Sequence, residues 1–207
     1  MKRALCLGSG EGGALAAFAA HDNWEIVRID YQEKYADIPH TIIRDITQWA
    51  DWIDEIGTNF DLVWFSPDCT EFSTAGQRRP PGFEPDTTLL RAGLAIIDFI
   101  KPSWYIVENV KGAKRWFKPF LGRPTQTLGP FYFWGRFPHM AVNVRRITAR
   151  IDEATLPSNS AERTGRWIFN EVPYHKWENE NNAKIPFEIS EALLRAIDSY
   201  ISLESFT

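Results

Sequence analysis

Two side chains at the ends of apolar runs have the chemistry of an active site. Cys69 lies in "FSPDCTEFSTAG", directly after such a run, and a cysteine thiolate can attack an electron-poor carbon. Glu108 ends the apolar run "YIVEN", where its carboxyl group could exchange a proton with a substrate. The alternative for Cys69 is a small buried apolar residue, which is the usual state of a cysteine. Cys6 lies inside an apolar run, and we interpret it as a core residue.

A glycine-rich run, "LGSGEGG" at residues 7–13, follows the first apolar run. Glycines there let the backbone turn sharply and approach a ligand, and the free N–H groups of a following helix attract anionic groups. Asp30 comes about 20 residues later, where an acid can hold the ribose hydroxyls of an adenosine. The alternative is a glycine-rich turn with an ordinary surface aspartate. The combination favours a nucleoside cofactor.

Strand and helix patterns alternate through residues 1–110 and predict the elements that position these groups. The predicted strands are residues 3–8, 24–30, 61–66 and 103–109. The predicted helices are residues 13–20, 47–56 with Thr47 as the N-cap, and 87–101 with Leu90, Leu94 and Ile97 on one face. Buried strands that alternate with helices are typical of a Rossmann-like, doubly wound, mainly parallel α/β sheet. The carboxyl ends of such strands present the ligand site.

Periodicity weakens after residue 110, and we predict a single domain over residues 1–207. Residues 111–180 are predicted to be irregular, apart from a strand at 131–137. Residues 181–207 are predicted to form a closing turn and an amphipathic C-terminal helix. The apolar residues at helical spacing in that segment are Ile189, Leu193, Ala196, Ile197 and Tyr200.

Charge and cysteine content restrict the class of protein. The net charge is -4 and the pI is near 5.6, so any binding of nucleic acid needs a local basic patch. Two cysteines far apart in sequence form no metal-binding motif and suit a reducing cytoplasm. The same cysteine pattern leads us to expect no metal site. No apolar run approaches the length of a membrane span, so we expect a soluble cytoplasmic protein.

These motifs, in their order along the chain, resemble those of the cytosine-C5 DNA methyltransferases. "GSGEGG" is similar to the glycine-rich first motif of that family, "VRIDY" to the acidic end of its second strand, and "RDI" to the short motif that follows. "SPDCTEFSTAG" is similar to the Pro-Cys-x-x-Phe-Ser nucleophile loop, and "ENV" to the catalytic Glu-Asn-Val. "NNAKIPFEISEALLRAI" is similar to the last motif, in which an Asn-containing turn precedes the terminal helix. The resemblance implies the fold of the S-adenosylmethionine-dependent methyltransferases.

The resemblance also implies an enzyme that transfers methyl from S-adenosylmethionine to C5 of cytosine in DNA. Cys69 would add to C6 while Glu108 holds N3 and the exocyclic amine, and the target base would have to leave the helical stack. The implied catalytic residues are Pro67, Cys69, Glu108, Asn109 and Arg145. The implied cofactor-binding residues are Leu7, Gly8, Ser9, Gly10, Gly12, Gly13, Asp30, Tyr31, Asp45, Ile46, Ser66 and Asn182. The implied substrate contacts are Ser73, Arg78 and Arg79, and the two arginines could equally be solvated surface.

The chain departs from the family pattern in three places. Asp68 replaces the proline that usually precedes the nucleophile, and a carboxylate beside a thiol disfavours the thiolate. The Gln-x-Arg-x-Arg motif is not cleanly present, and Arg145 is chosen from "NVRRITAR" only by its position. About 30 residues separate Arg150 from Asn181, where the family inserts a target-recognition region. We therefore expect sequence specificity to be low or supplied by a separate subunit.

Three other functions are alternatives. An amino-methyltransferase would carry an aromatic residue after the "SPD" stretch, but this chain has Cys69 there, and the matches to Cys-x-x-Phe-Ser and Glu-Asn-Val argue against it. A degenerate or partner-dependent subunit that only binds the cofactor would agree with Asp68 and the acidic pI. The same chemistry on single-stranded nucleic acid, RNA or a free nucleotide would use some of the nine tryptophans for stacking.

Overall fold

A seven-stranded sheet is the centre of the molecule. The computed structural model describes residues 1–73, 81–143 and 185–204. The strands are β1 (Lys2–Leu7), β2 (Trp24–Asp30), β3 (Thr41–Ile43), β4 (Leu62–Phe65), β5 (Trp104–Val110), β6 (Gln126–Leu128) and β7 (Phe131–Arg136). Their order is β3-β2-β1-β4-β5-β7-β6. Strands β1 to β5 are parallel, whereas β7 runs antiparallel to both β5 and β6.

Helices connect the parallel strands and cover both faces of the sheet. The α-helices are α1 (Ala16–Ala19), α2 (Ile53–Ile56), α3 (Thr88–Ile100), α4 (Lys114–Leu121) and α5 (Phe187–Glu204). Four 3₁₀ turns, Gly13–Leu15, Glu33–Tyr35, Ile46–Asp51 and Lys111–Ala113, lie between or before them. Among the described residues, none of these helices is long and apolar enough to cross a bilayer.

Alternate residues along each strand enter one of two hydrophobic cores. One core lies under α1 and α5, and its members include Cys6, Phe18, Trp64, Ile106, Ile189 and Leu193. The other lies under α2, α3 and α4, and its members include Leu7, Ile53, Phe65, Leu90, Val107 and Phe117. Ile189, Leu193 and Ile197 of α5 are completely buried, and each contributes about 1.5–3 kcal/mol of burial free energy. The C-terminal helix is therefore part of the core.

Strands β2 and β3 lie on one side of β1, whereas β4 and β5 lie on the other, so the strand order changes direction between β1 and β4. In open α/β sheets, ligands bind outside the carboxyl ends of the strands at this switch point. The glycine-rich run follows β1, and the segment with Cys69 follows β4. Glu108 lies on β5, the strand next to β4. The fold thus brings the sequence-predicted groups to one edge of the sheet.

The predicted Rossmann-like, doubly wound, mainly parallel sheet is confirmed, as are strand β7 and the terminal helix α5. The N-cap prediction was wrong, because Asp45 accepts hydrogen bonds from the N–H (2.8 Å) and hydroxyl (2.7 Å) of Thr47 and caps the turn that begins at Ile46. The predicted helix at 47–56 is interrupted at Trp52, where the backbone φ is -130°. Leu94 is only half-buried.

Three short elements have no counterpart in the sequence pattern. They are β3 and β6, with three residues each, and α4, which contains Pro119 and several cations. A three-residue strand is too short to show periodicity, and helix propensity is low for a segment with an internal proline. Two of these elements, α4 and β6, lie within the region that was predicted to be irregular.

Candidate active site

The glycine-rich loop folds back against the ends of both neighbouring strands. The N–H groups of Gly8 (2.9 Å) and Ser9 (3.2 Å) both donate to the carbonyl of Ile29 on β2. Gly8 has φ +67°, and a Cβ there would collide with the carbonyl oxygen of Ser66 at the end of β4. Only glycine allows this approach without strain. The loop is thus fixed between β2 and β4 at the switch point.

Asp30 links the end of β2 to the glycine-rich loop. Its carboxylate accepts hydrogen bonds from the N–H of Gly10 (2.8 Å) and of Gln32 (3.0 Å), and the side chain is 4% exposed. A Cβ on Gly10 would meet no atom within 4 Å, so the loop borders open space at that point. Tyr31 follows Asp30 and is 62% exposed. The predicted cofactor residues of β1 and β2 therefore come together around one opening.

Other predicted cofactor residues differ in their surroundings. The hydroxyl of Ser9 is buried and has no hydrogen-bond partner among the described residues. Asp45 is exposed and caps the turn after β3, whereas the Ile46 side chain is buried in the core under α2 and α3. Leu7 is a core residue of β1, and Gly12 and Gly13 form the turn into α1.

A chain of hydrogen bonds reaches Glu108 from inside the sheet. The indole N–H of Trp64 donates to the Ser66 hydroxyl (2.8 Å), and that hydroxyl donates to Oε2 of Glu108 (3.0 Å). Strand alternation places Ser66 and Glu108 on the face covered by α1 and α5. Trp64 is completely buried and Glu108 is 8% exposed. Burial raises the pKa of Glu108 to about 7, although the Ser66 hydrogen bond opposes the rise.

Cys69 lies in a turn that follows β4 and is hydrogen-bonded to β5. Its carbonyl accepts from the N–H of Phe72 (3.0 Å) and of Ser73 (2.8 Å). The side-chain amide of Asn109 donates to the carbonyl of buried Pro67 (2.8 Å), which ties this turn to β5. Asn109 therefore contacts the backbone of the turn. Ser73 lies in the same turn as Cys69, and its contact with the substrate stays a prediction.

The Cys69 thiol is partly exposed and has a raised pKa. Burial is the largest cause, the charges of Glu108 and Asp68 add to it, and together they raise the pKa to about 11. The direction that the sequence predicts from Asp68 is confirmed, but burial and Glu108 outweigh it. The Asp68 carboxylate accepts from the N–H (2.8 Å) and hydroxyl (2.6 Å) of Thr70. Protonation of Glu108 would remove one of the two charges that disfavour the thiolate.

Four of the predicted site residues, Arg78, Arg79, Arg145 and Asn182, lie outside the described residues. Cys6 is 1% exposed, and burial raises its pKa to about 12, which fits a core residue. Within the described part of the chain, no group of three or more His, Cys, Asp or Glu residues could hold a metal ion.

Sequence reasoning missed two polar residues near the site. Trp64 is the donor that orients the Ser66 hydroxyl, and nothing in the apolar run "DLVWFS" marks it as more than a core residue. Arg28 is 4% exposed beneath the glycine-rich loop and donates to the Pro39 carbonyl (2.5 Å). A cation inside the apolar run "WEIVRID" was the available signal for Arg28.

Comparisons with known proteins find one matching family. The family model of C-5 cytosine-specific DNA methylases matches residues 8–116. The type II methyltransferase M.HgiGI of Herpetosiphon aurantiacus is 34% identical over 119 residues, which are 53% of this chain and 86% of that protein. The type II methyltransferase M.HindV of Haemophilus influenzae is 31% identical over 119 residues, which are 53% of this chain but 36% of that protein. The chain thus spans only about a third of the length of M.HindV.

Among solved structures, similarity is limited to part of the fold. A DNMT2 mutant from Spodoptera frugiperda aligns with a TM-score of 0.43 and 21% identity, over 69% of this chain and 54% of that one. A SAM-dependent methyltransferase from Archaeoglobus fulgidus aligns with a TM-score of 0.37 and 16% identity, over 53% of this chain and 45% of that one.

Proposed function

The chain belongs to the C-5 cytosine-specific DNA methylase family, and from that premise we propose that it methylates C5 of cytosine in DNA. The proposed methyl donor is S-adenosylmethionine, and the proposed nucleophile is Cys69. One observation carries the proposal. A buried carboxylic acid, Glu108, with a pKa of about 7, lies at the same sheet edge as the partly exposed thiol of Cys69.

The residues of the glycine-rich loop fit an adenosine cofactor. The Ser9 hydroxyl is buried and has no hydrogen-bond partner among the described residues, so it can bond to a ligand. Each carboxylate oxygen of Asp30 accepts one N–H and keeps a lone pair for a ribose hydroxyl. The exposed ring of Tyr31 is free to cover an adenine. When bound here, S-adenosylmethionine supplies an electrophilic methyl group.

In the proposed reaction, Glu108 is the acid that protonates the base and Cys69 is the nucleophile that adds to it. Glu108, as a neutral acid, gives its proton to N3 of cytosine, which makes C6 electron-poor. The Cys69 thiol loses its proton to solvent, and the sulfur forms a bond to C6 as the C5–C6 double bond shifts its electrons to C5. C5 then takes the methyl group, whose bond to the donor sulfur breaks. C5 loses its proton to solvent, the C5–C6 double bond forms again as the S–C6 bond breaks, and N3 returns its proton to Glu108.

Several contacts would hold this geometry. The Asn109 amide ties Pro67, two residues before the nucleophile, to β5. The Ser66 hydroxyl fixes one oxygen of Glu108. Arg145 and the contacts of Arg78 and Arg79 to DNA phosphates stay predictions from the family motifs.

A covalent trap tests the proposal. Duplex DNA that contains 5-fluorocytosine should form a stable adduct with the protein and S-adenosylmethionine, because fluorine at C5 cannot leave as a proton. Cys69→Ser should give no adduct, and Cys6→Ala, which alters only a core thiol, should still give one. Absence of an adduct on duplex DNA would reject the proposed function, and an adduct on RNA alone would change the substrate.

A second candidate is a cofactor-binding subunit that transfers no methyl group by itself. The raised pKa of Cys69 favours it, because a thiol with a pKa of about 11 contains little thiolate at neutral pH. Binding of S-adenosylmethionine without transfer to DNA, RNA or nucleotides would support this candidate. Restoration of transfer by a separate specificity subunit would identify the missing partner.

A further inference from the structure

The segment after β5, the strand that carries Glu108, is strongly basic in a chain with a net charge of -4. Residues 109–151 contain nine of the 23 lysines and arginines and none of the 27 aspartates and glutamates. Five of these cations are exposed in residues 111–123, which we call the basic segment: Lys111, Lys114, Arg115, Lys118 and Arg123. No ion pair joins any of the five to another described residue.

The basic segment lies beside the nucleophile. The Lys111–Ala113 turn follows directly from β5, and α4 continues it. The ring of Phe117 on α4 packs edge-on against Phe72, three residues after Cys69, with the ring centroids 5.0 Å apart. Phe117 is completely buried. The inner side of α4 is therefore fixed to the nucleophile turn.

Three of the cations, Lys114, Arg115 and Lys118, are exposed on α4, and Lys111 lies in the turn that precedes it. Positions 111, 114, 115 and 118 are three or four residues apart, which places them on one helical face. Like charges at this spacing destabilise an isolated helix by about 0.2–0.5 kcal/mol for each pair. Helix stability alone therefore does not explain the pattern, but a row of phosphates would neutralise it.

We propose that the basic segment binds the phosphate backbone of duplex DNA and holds the duplex over the nucleophile. This inference rests on the proposed function, since it places the DNA at the same sheet edge. Contacts to phosphates carry no sequence information, so the segment supplies affinity and orientation but leaves the choice of site to other groups.

The salt dependence of binding tests the basic segment. For a fluorescent duplex, log affinity falls with log salt, and Lys114→Gln combined with Lys118→Gln should make this negative slope shallower by about 2. Each lost phosphate contact removes about 0.9 from its magnitude. Lys101→Gln is the matched control, because Lys101 is an exposed cation near the start of β5, at the opposite sheet edge. Its slope should equal that of the unmodified protein.

Three results would overturn this inference. One is a slope that the paired variant leaves unchanged. Another is a loss per removed cation that is equal in the paired variant and in Lys101→Gln, which would indicate only net charge. Tighter binding of an RNA hairpin than of the duplex would also reject the assignment to DNA. Because the measurement needs no methyl transfer, failure of the catalytic proposal would be seen separately.

A second inference comes from the hydrogen bonds of Glu108. The indole N–H of Trp64 donates to the Ser66 oxygen, and the Ser66 hydroxyl donates to Oε2 of Glu108. Because Oε2 accepts this bond, we infer that the proton of the neutral acid lies on Oε1. The structure assigns Trp64 and Ser66 as positioning residues that decide which oxygen of Glu108 carries the proton.

This arrangement would favour cytosine, in line with the proposed function on which it rests. The Oε1 hydroxyl is a donor for the unprotonated N3 of cytosine, and Oε2 keeps a lone pair for the N4 amine. Thymine and uracil present an N3 donor and an O4 acceptor, so both contacts would be mismatched. Such mismatches leave buried polar groups unpaired and therefore discriminate strongly.

Few charged or titratable groups lie close enough to Glu108 to change its pKa. From the β4 side, Glu108 faces the Cys69 thiol, whose pKa it raises. Its register neighbour on β7 is Phe133, which carries no charge. The buried residues of α1 and α5 on this face are apolar except for Ser190, whose hydroxyl accepts from the N–H of Ala17. Arg28 and Asp30 are three strands away on β2, roughly 14 Å at the usual strand spacing.

A titration of the Glu108 carboxyl carbon by ¹³C NMR tests the hydrogen-bond chain without any activity. Ser66→Ala should raise the midpoint, because the hydroxyl lowers the pKa of Glu108, and Ser66→Thr should restore it. Trp64→Phe should raise the midpoint less, and should have no effect when combined with Ser66→Ala, because it acts only through the hydroxyl.

An unchanged midpoint in Ser66→Ala would overturn the assignment. So would a Trp64→Phe shift of the same size in the absence of the hydroxyl. If the tryptophan variant does not fold, the comparison of Ser66→Ala with Ser66→Thr still decides the role of Ser66. Absence of methyl transfer would leave these titrations unaffected.

Discussion

Two buried carboxyl groups lie on the same face of the sheet, at the ends of β2 and β5. Asp30 accepts two backbone N–H bonds, from Gly10 and Gln32, and belongs to what we call the glycine-loop rim (residues 8–13 with Asp30). Glu108 accepts one hydroxyl proton and belongs to the nucleophile rim (Ser66, Cys69, Glu108 and Asn109). Backbone donors fix the oxygens of Asp30 as acceptors for a ligand. A buried acid with a pKa of about 7 can instead exchange a proton at neutral pH.

Cys69→Ser should give the largest difference between the effect on methyl transfer, at the nucleophile rim, and the effect on cofactor binding, at the glycine-loop rim. We expect methyl transfer to fall by on the order of 10³-fold or more, because a serine hydroxyl is a far weaker nucleophile than a thiolate. S-adenosylmethionine should bind as before, since no hydrogen bond joins Cys69 to the glycine-loop rim in the part of the chain that the structure describes. Transfer of labelled methyl and calorimetric titration measure the two properties. A weakened cofactor affinity in this variant would show that the rims are not independent.

Glu108→Gln should lower transfer by about 10²–10⁴-fold, because glutamine keeps the shape of the acid but has no proton to give to N3. Cofactor affinity should again be unchanged. Steady-state kinetics on duplex DNA and calorimetry measure this pair of effects. Transfer at an unreduced rate would mean that the pKa of Glu108 has no part in the chemistry.

The pH dependence of stability should report the same carboxyl group. The folded pKa of about 7 is higher than the ordinary value of 4.5, so the native state keeps a proton that the unfolded state releases between these pH values. Stability from this group is complete below pH 4.5 and is lost by pH 7, at a cost of about 3 kcal/mol.

Denaturant unfolding at pH 4.5 and pH 8 measures this change, with Glu108→Gln as the control. The substitution should remove most of the pH-dependent difference, since glutamine does not titrate. If the variant and the unmodified protein lose equal stability over this range, another group is responsible.

Asp30→Asn should give the smallest effect and should act on the other rim. We expect the dissociation constant of S-adenosylmethionine to rise roughly 10- to 100-fold. The side-chain NH₂ of asparagine would face one of the two backbone N–H donors, and that position would no longer have an acceptor for the ligand. Transfer at saturating cofactor should be retained. A fall in the saturated rate as large as that of Glu108→Gln would contradict the division between the rims.

The family match confirms the resemblance to the cytosine-C5 family, and the sheet order confirms the predicted mainly parallel sheet. Apolar runs of six or seven residues are local features, so β1, β2, β4 and β5 could be predicted. The cap at Asp45 could not be distinguished from Thr47, because both residue types are good caps. The position of α4 depends on the contact between Phe117 and Phe72, which are far apart in sequence.

The amino-acid sequence by itself determined which chemical groups stand at which strand ends, because the order of strands and glycines along the chain is local information. Only the tertiary structure decided the protonation of Glu108 and the support of Cys69. Ser66 and Glu108 are 42 positions apart, as are Pro67 and Asn109, and these hydrogen bonds form only when β4 and β5 pair. The burial that raises the pKa of Glu108 comes from packing against distant parts of the chain, which no local pattern in the sequence contains.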